Sequence, residues 1–427
     1  MAFVILGVML ALLFLGYPMK VPLIAAALLV ALVWFPGAAP ETLVQQMIGG
    51  VQPSALIAVP MFIFAAEIMT RGQAADRLLD LVMRFVGHVR GGLPITSAVA
   101  CTLFGALSGS TQATVVAIGG PLRPKMLKAG YPDSFVTALI INASDIALLI
   151  PPSIAMIVYG VVSGTSIGEL FIAGIGPGLL LLVLFSFYCW VAAVRLKIPR
   201  EEASTWAERW GAMKKASLPL GFPIIVIGGI YAGFFSPTEA AAVSVLYALV
   251  LELVVYRELK LSDVPKLARN TGLVTSVVFV LVAAGAAFSW VISYAELPTQ
   301  LLAGTLGPES SYAAIMTTIA VAYFVGCMFV DPIVVILILT PIFHPIAVAA
   351  GIDPVLVGTV VTLQVAIGSA TPPFGCDIFT AIAVFRLPYI EVIRGTPPFL
   401  AILVGASVLI IVFPEIALVL RDLAFAE

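Results

Sequence analysis

The chain is 427 residues long; 61% of its residues are hydrophobic and only 10% are charged. Its mean hydropathy of +1.15 excludes a soluble globular protein, because no soluble core absorbs that much apolar surface and a lipid bilayer must cover it. The formal net charge of −2 excludes little, since in a membrane protein the position of basic residues matters more than their sum. Windows of about 20 apolar residues predict roughly ten full spans and two shorter, interrupted elements.

Residues 1–90 are predicted to form the N-terminal scaffold spans and one helix on the cytoplasmic face. No basic stretch and no cleavage site of the A-x-A type precedes Tyr17, so the first apolar segment is interpreted as a span and not as a removable signal. From Gly72 to Val89, charged residues alternate with leucine, valine and phenylalanine at helical spacing. This pattern predicts an amphipathic helix on the membrane surface.

Residues 91–163 are predicted to form a first repeat that begins with a re-entrant hairpin. Basic residues mark cytoplasmic loops, and they flank the apolar segment from Gly91 to Leu122 on both sides. Because both ends should then face the cytoplasm, the segment must enter the membrane and turn back. Hydroxyl groups and glycine interrupt it from Ser108 to Thr111, where we expect the turn.

A broken helix is predicted to follow in the same repeat. It should run from Pro132 to Val162 and break between Ser144 and Pro152. Proline lacks the backbone N–H and clashes with the preceding turn, so no helix continues unbroken through Pro151-Pro152. Broken backbone at membrane depth is tolerated only where it lines a cavity or is buried in protein.

Residues 164–310 are predicted to hold further scaffold spans and the connector between the repeats. Within them, Glu201 to Lys215 has the pattern of a second interfacial helix. Residues 387–427 are predicted to form the C-terminal scaffold span. Arg421 is the one basic residue that departs from the separation of basic and non-basic loops.

Residues 311–386 are predicted to form the second repeat. No Lys or Arg flanks its hairpin, from Ser311 to Ala350, so both hairpin ends should face outward. The turn is expected between Gly326 and Pro332. The broken helix should run from Pro354 to Phe385 and break between Gly368 and Gly375.

The two repeats match each other at a constant offset. Pro151-Pro152 and Pro372-Pro373 are 221 positions apart, as are Gly105 and Gly326. One hairpin is predicted to open inward and its copy outward, which is the signature of inverted repeats. The predicted fold class is therefore an all-α polytopic membrane protein with inverted repeats, each with a re-entrant helical hairpin and a broken transmembrane helix. Paired, Pro/Gly-interrupted segments of this kind are the best pointer to the binding site of a transporter.

Two aspartates within these segments have competing interpretations. A carboxylate at the middle of a bilayer costs about 2.5–3.5 kcal/mol, so Asp145 and Asp331 are expected to face a cavity or a partner. They could coordinate a cation or carry a proton coupled to transport. Alternatively, Asp331 only caps the second arm of its hairpin, and Asp145 only pairs with a structural neighbour.

Polar residues cluster at the predicted turns and breaks. Small hydroxyl residues often do no more than pack membrane helices closely. Beside a Pro-Pro break, they instead indicate hydroxyl and freed carbonyl oxygens that converge on an ion the size of Na⁺. The candidates for substrate binding and gating are Thr111, Asn142, Ser144, Pro151, Pro152, Asp331, Pro372 and Pro373.

Several motifs resemble one known family. These motifs are Gly-Ala-Leu-Ser-Gly-Ser-Thr at the first turn, Leu-Ile-Pro-Pro-Ser-Ile-Ala-Met at the first break, Ser236-Pro-Thr-Glu-Ala-Ala-Ala, Leu297-Pro-Thr-Gln and Thr371-Pro-Pro-Phe-Gly. In order and over nearly the whole chain, they resemble the large membrane subunit of TRAP (tripartite ATP-independent periplasmic) transporters. The resemblance implies an elevator-type secondary transporter of the ion transporter superfamily in the bacterial inner membrane. It also implies Na⁺-coupled uptake of an organic acid, a small four-helix membrane subunit and a periplasmic substrate-binding protein.

The resemblance also implies two Na⁺ sites. Carried over, the first is formed by Ser108 and Ser110 with the backbone from Asp145 through Leu148 to Ile150. The second is formed by Gly326 with Gly368 and Thr371. One departure lies in the first site, where the family is usually Gly-rich but this chain has Ser144-Asp145-Ile146-Ala147.

Two other functions are weighed against this one. An intramembrane aspartyl protease would also use two membrane aspartates, but neither Asp145 nor Asp331 lies in a Gly-x-Gly-Asp motif. A one-component carboxylate carrier driven by Na⁺ or H⁺ would share the architecture and need no binding protein. The chain has no G-x-x-x-x-G-K-[ST] loop, so we expect no nucleotide, and we expect no nucleic-acid partner.

Overall fold

The structure is a computed structural model that describes residues 2–35, 40–296 and 310–425. The Leu297-Pro-Thr-Gln motif lies outside these residues. Within them the regular secondary structure is helical, without strands. The helices are Ala2–Phe14, Lys20–Trp34, Pro40–Gly50, Ser54–Ile57 (3₁₀), Ala58–Arg71, Ala74–Val86, Gly92–Ser108, Thr111–Lys128, Asp133–Ser144, Asp145–Leu148 (3₁₀), Ile154–Ser163, Ile167–Arg195, Trp206–Tyr231, Pro237–Leu249, Val250–Val255 (π), Val264–Tyr294, Tyr312–Cys327, Pro332–Ala349, Pro354–Ser369, Cys376–Phe385, Tyr389–Ile393, Thr396–Val412 and Glu415–Ala424.

Fewer helices than predicted are long enough to cross a membrane. Among the described residues, 6 helices have the length and apolar composition of a span, or up to 7 if the bent pair Thr396–Val412 and Glu415–Ala424 is counted as one. The prediction of roughly ten full spans is therefore too high. Other apolar helices have only 10–17 residues, because turns and prolines divide the segments that hydropathy alone reads as continuous.

Hairpin 1 consists of Gly92–Ser108 and Thr111–Lys128, which pack against each other. Two residues join them, and the first, Gly109, has the left-handed φ of +59° that glycine adopts without a steric penalty. The second, Ser110, caps the returning helix by accepting a hydrogen bond from the Ala113 N–H at 3.4 Å. The turn predicted between Ser108 and Thr111 is confirmed.

Broken helix 1 starts as Asp133–Ser144 and tightens into the 3₁₀ turn Asp145–Leu148. Regular structure then stops at Pro151-Pro152, and Ser153 caps the second half, Ile154–Ser163, by accepting the Met156 N–H at 3.3 Å. The predicted break is confirmed.

Hairpin 2 and broken helix 2 repeat this arrangement. Hairpin 2 consists of Tyr312–Cys327 and Pro332–Ala349. Broken helix 2 consists of Pro354–Ser369 and Cys376–Phe385, and the residues between the halves include Pro372-Pro373. Both the turn and the break therefore fall within the predicted ranges.

The two repeats interlock. Each hairpin packs against the first half of its own broken helix. The second half of each broken helix packs against the returning arm of the other hairpin, so that Ile154–Ser163 contacts Pro332–Ala349 and Cys376–Phe385 contacts Thr111–Lys128. The first break lies in the interior, where Ala147 is fully buried, whereas the second is partly open, since Ala370 is fully buried but Phe374 is 54% exposed.

The remaining helices surround this unit. Val264–Tyr294 packs on Lys20–Trp34, on Pro40–Gly50 and on the returning arm of hairpin 2. Ala74–Val86 is the amphipathic helix predicted from the sequence, with Leu78 and Val82 buried.

The second predicted interfacial helix is not a separate element. Thr205 and Glu208 form a capping box, and the helix that starts at Trp206 continues without interruption to Tyr231. Trp206 and Trp210 are exposed at the beginning of that long helix. The prediction for Glu201 to Lys215 was wrong because the charged first turns are continuous with an apolar span.

Arg421 is held in a network of acidic partners. Its guanidinium lies 2.8 Å from Asp353 and 3.4 Å from Glu169. Burial raises the pKa of Asp353, but hydrogen bonds from Arg421 and from the Val355 N–H outweigh burial, so the pKa lies below its ordinary value. Arg421, the one basic residue that departs from the predicted separation of basic and non-basic loops, is thus neutralised by ion pairs.

Candidate functional site

In each repeat the hairpin tip lies against the break in the helix. A Cβ atom added at Gly109 would come within 2.2 Å of the Pro152 carbonyl oxygen, so only glycine allows this approach. In repeat 2 the Phe374 N–H donates a hydrogen bond of 3.1 Å to the Met328 carbonyl oxygen. Each repeat therefore forms a junction between a hairpin tip and a broken helix.

The double prolines leave backbone oxygens without their helical partners. The residues three and four positions after Leu148 are Pro151 and Pro152, which have no N–H to donate. No hydrogen bond from a described residue reaches the backbone oxygen of Leu148 or of Ile150. These two oxygens, named from the sequence as candidate ligands, are free to accept from or coordinate another group.

The hydroxyl groups of the first tip lie close together. Ser108 Oγ lies 3.3 Å from Thr114 Oγ1 and accepts a long hydrogen bond of 3.4 Å from the Ser110 N–H. Ser110 Oγ donates to Gln112 Oε1 at 3.1 Å. Serine oxygens carry two lone pairs each, so both retain acceptor capacity.

Thr111 connects the first repeat to the second. Its hydroxyl donates a hydrogen bond of 2.7 Å to Asp377 Oδ1, while Ser369 Oγ donates one of 2.6 Å to Asp377 Oδ2. Asp377 is fully buried in the first turn of Cys376–Phe385. This aspartate was absent from the predicted site, although its position in an apolar segment just after the second Pro-Pro break was a visible signal.

Asp145 is the least satisfied polar group of the site. It is fully buried, and neither carboxylate oxygen has a hydrogen-bond partner among the described residues. Its 3₁₀ turn, Asp145–Leu148, packs against both arms of hairpin 1 and against Pro354–Ser369, the first half of broken helix 2. The helix that carries Asp377 packs against the same returning arm of hairpin 1, Thr111–Lys128.

Asn142 and Ser144 are buried beside Asp145 and turn back on their own helix. The Asn142 amide donates to the Ala138 carbonyl at 2.8 Å, and Ser144 Oγ donates to the Ile141 carbonyl at 2.6 Å. The Asn142 side-chain oxygen has no described partner. It is a further free acceptor near the break.

Repeat 2 presents a different set of atoms. Thr371 Oγ1 donates to the Ile367 carbonyl at 2.6 Å, and the Gly368 carbonyl accepts from the Thr371 N–H at 3.1 Å. Gly326 lies in the outgoing arm, where an added Cβ would approach Val335 to 3.1 Å. Asp331 is exposed and caps Pro332–Ala349 by accepting the Ile333 N–H at 3.0 Å. This bond is the one expected if Asp331 only caps the second arm of its hairpin.

The available ligands are oxygens, and none of them belongs to a multidentate acidic cluster. Within residues 2–35, 40–296 and 310–425, no group of three or more His, Cys, Asp and Glu side chains could hold a metal ion. Hydroxyls and carbonyls of unwound backbone are instead the donor set by which membrane transporters coordinate Na⁺. The first tip and break fit such an ion.

The chain matches the sequence profile described as "Tripartite ATP-independent periplasmic transporter, DctM component" over residues 6–416. The chain belongs to this family. It is thus a large permease subunit of a TRAP transporter, a multi-pass protein of the bacterial inner membrane.

Two relatives match this TRAP permease along their full length. The chain is 65% identical over 429 residues to the "Ectoine/5-hydroxyectoine TRAP transporter large permease protein UehC" of Ruegeria pomeroyi, with 100% of each chain covered. It is 61% identical to the "Ectoine TRAP transporter large permease protein TeaC" of Halomonas elongata, again with 100% coverage of both. A C4-dicarboxylate permease, DctM of Pseudomonas aeruginosa, is 37% identical over 86% of each chain.

A solved structure has the same fold as this TRAP permease. The Alcanivorax borkumensis YdaH transporter superposes with a TM-score of 0.63 at 18% identity, over 87% of each chain. At that identity the likeness concerns the fold alone, which is that of a membrane transporter.

Proposed function

We propose that this permease imports an organic acid of the ectoine class, driven by a Na⁺ gradient through an elevator-type movement of the two repeats. The observation that carries the proposal is the junction of repeat 1, where the tip that holds Ser108 and Ser110 packs against the break at Pro152 and the break has backbone oxygens without a described hydrogen-bond partner. A cation bound there stabilises the closed tip. Because only a difference in affinity between two states can shift their equilibrium, that cation can drive transport.

The substrate class rests on the relatives and on chemistry. The two full-length relatives are named for ectoine, whereas the C4-dicarboxylate relative shares far fewer residues. Ectoine is a zwitterion with one carboxylate and one delocalised amidinium cation.

The family implies two partners for this chain, a small four-helix membrane subunit and a periplasmic binding protein that delivers the substrate. The chain then acts as a transport subunit and not as an enzyme.

Reconstitution in liposomes tests this function. The permease, the small subunit and ectoine-loaded binding protein are combined under an inward Na⁺ gradient, with an equal choline gradient as control. We expect labelled ectoine to accumulate only when all three proteins and Na⁺ are present. Uptake by the permease alone would instead indicate a one-component carrier, and equal uptake under a proton gradient without Na⁺ would refute sodium coupling.

A further inference from the structure

Two buried carboxylates, Asp145 and Asp377, lie on elements that pack against the returning arm of hairpin 1, and neither has a counter-charge among the described residues. Among the described residues, no Lys, Arg or His forms an ion pair with Asp145 or Asp377. Removing a carboxylate from water is strongly unfavourable unless a partner compensates for the lost solvation. The site therefore calls for a positively charged ligand or a proton.

The two aspartates differ in how they are held. Asp377 is oriented by one hydrogen bond on each oxygen, from Thr111 and Ser369. A carboxylate offers about four acceptor positions, so roughly two remain free on Asp377. Asp145 has all of its positions free and is nonetheless fully buried. A fixed carboxylate and an unpartnered one, on two elements that pack against the same arm of hairpin 1, are suited to a ligand with several N–H donors.

We infer that Asp145 and Asp377 bind the cationic nitrogen group of a zwitterionic substrate, an inference that rests on the ectoine-class function proposed above. A delocalised, planar cation with parallel N–H donors makes charge-assisted bonds to carboxylates that are about twice as strong as neutral ones. A dicarboxylate would meet only like charge here, which costs affinity and excludes it.

The coupling ion and the substrate then bind different atoms. The ion takes the hydroxyls of Ser108 and Ser110 and the backbone oxygens of the first break. The Asp145 side chain, which departs from the Gly-rich pattern of the family at that position, is left for the substrate. Substituting Asp145 should therefore change substrate affinity and leave ion affinity intact.

Exchange measurements separate these roles. Liposomes that contain the permease and the small subunit are preloaded with ectoine, labelled ectoine is supplied outside on the binding protein, and the internal concentration that half-saturates exchange is measured at saturating Na⁺. Asp145→Asn is expected to raise that concentration about tenfold or more, as expected for the loss of a charge-assisted hydrogen bond. Asp145→Glu, which keeps the charge, should restore part of the affinity. Asp76→Asn on the amphipathic helix is the control.

A second measurement reports folding and ion binding without substrate. Na⁺, compared with choline, should raise the unfolding temperature of the detergent-solubilised complex equally for the wild type and Asp145→Asn. Loss of the Na⁺ effect in Asp145→Asn would make Asp145 an ion ligand and overturn the inference. An unchanged half-saturating concentration would overturn it too and would indicate a protonated carboxyl, which asparagine imitates. If the wild type moves no ectoine, the proposed function itself fails.

Discussion

The two repeats have the same order of elements, but the contact between hairpin tip and broken helix differs between them. The tip of repeat 1 is buried and polar, with Ser108 and Thr111 only 4% and 2% exposed. The tip of repeat 2 is apolar apart from Asp331, and Phe329 there is 49% exposed beside Phe374 of the break, at 54%. Equivalent positions in the sequence thus form a packed oxygen-rich junction in one repeat and an open one in the other. The oxygen-rich junction of repeat 1 is therefore the better candidate for the proposed ion site.

Glycine is used on opposite sides of the two junctions. In repeat 1 the hairpin residue Gly105 faces Ala147, and an added Cβ would lie 2.5 Å from the Ala147 Cα. In repeat 2 the helix residue Gly368 faces the hairpin, and its Cβ would lie 2.5 Å from Cys327 Cβ and 2.7 Å from the Phe324 oxygen. One glycine is enough for each close approach, and it lies on the hairpin in repeat 1 and on the broken helix in repeat 2.

The largest effect is expected from Gly105→Ala. Because the new methyl group would meet backbone, which cannot give way cheaply, we expect destabilisation at or above the ~1–3 kcal/mol typical of overpacking. The equivalent Gly326→Ala meets side chains only, with Val335 nearest at 3.1 Å, and should cost less. Thermal unfolding of both variants in detergent compares them. Equal losses would remove the distinction between the two junctions.

A smaller effect is expected from Thr111→Val. This change leaves Asp377 Oδ1 without its donor, and hydrogen bonds to charged groups contribute about 1.5–3 kcal/mol. The control is Thr371→Val in the other repeat, which loses only a bond to its own helix backbone, worth about 0.5–1.5 kcal/mol. Unfolding temperatures should follow this order. If Thr371→Val were the more damaging change, the link between the repeats through Asp377 would have to be reconsidered.

The weakest predicted effect concerns the entry to each broken helix. Arg123 binds Asp133 in repeat 1 at 2.6 Å, from its own hairpin, whereas Arg421 binds Asp353 in repeat 2 from the C-terminal helix. Partly exposed ion pairs contribute about 0–1 kcal/mol, so Arg123→Gln and Arg421→Gln should each lower stability by no more than about that amount.

The pH dependence of the Arg421 pair follows from the lowered pKa of Asp353. A carboxyl group with a lowered pKa in the folded state stabilises the protein above its ordinary pKa, and this contribution disappears as pH falls through the lowered value. Arg421→Gln and the wild type should therefore differ in unfolding temperature near neutral pH and converge in acid. A difference that persisted in acid would show that Arg421 acts through packing.

The order of elements in the repeats could be predicted from the sequence because its signals are local. A helix cannot continue through two consecutive prolines, so Pro151-Pro152 and Pro372-Pro373 mark the breaks directly. The run of glycine and hydroxyl residues from Ser108 to Thr111 marks the first turn, because it interrupts an apolar segment. The number of full spans was overestimated, since hydropathy does not register a turn inside an apolar run.

The partners within the site could not be read in the same way. Asp377 is bonded to Thr111, which is 266 positions away in sequence, and no local pattern reports such a contact. Arg421 looked like an exception to the charge rule because its partners Asp353 and Glu169 come from two other elements. Asp145 was named as a buried charge, but only the three-dimensional packing around it reveals that its oxygens lack partners among the described residues.

The most direct test of the central claim is the Na⁺ dependence of ectoine uptake by the reconstituted three-protein system with Ser110→Ala. Ser110 supplies a tip hydroxyl in repeat 1, and its equivalent in repeat 2 is Asp331, which caps a helix instead. We expect the variant to need several-fold more Na⁺ for half-maximal uptake while the maximal rate at saturating Na⁺ is largely kept. An unchanged Na⁺ requirement would contradict an ion site at the junction of repeat 1.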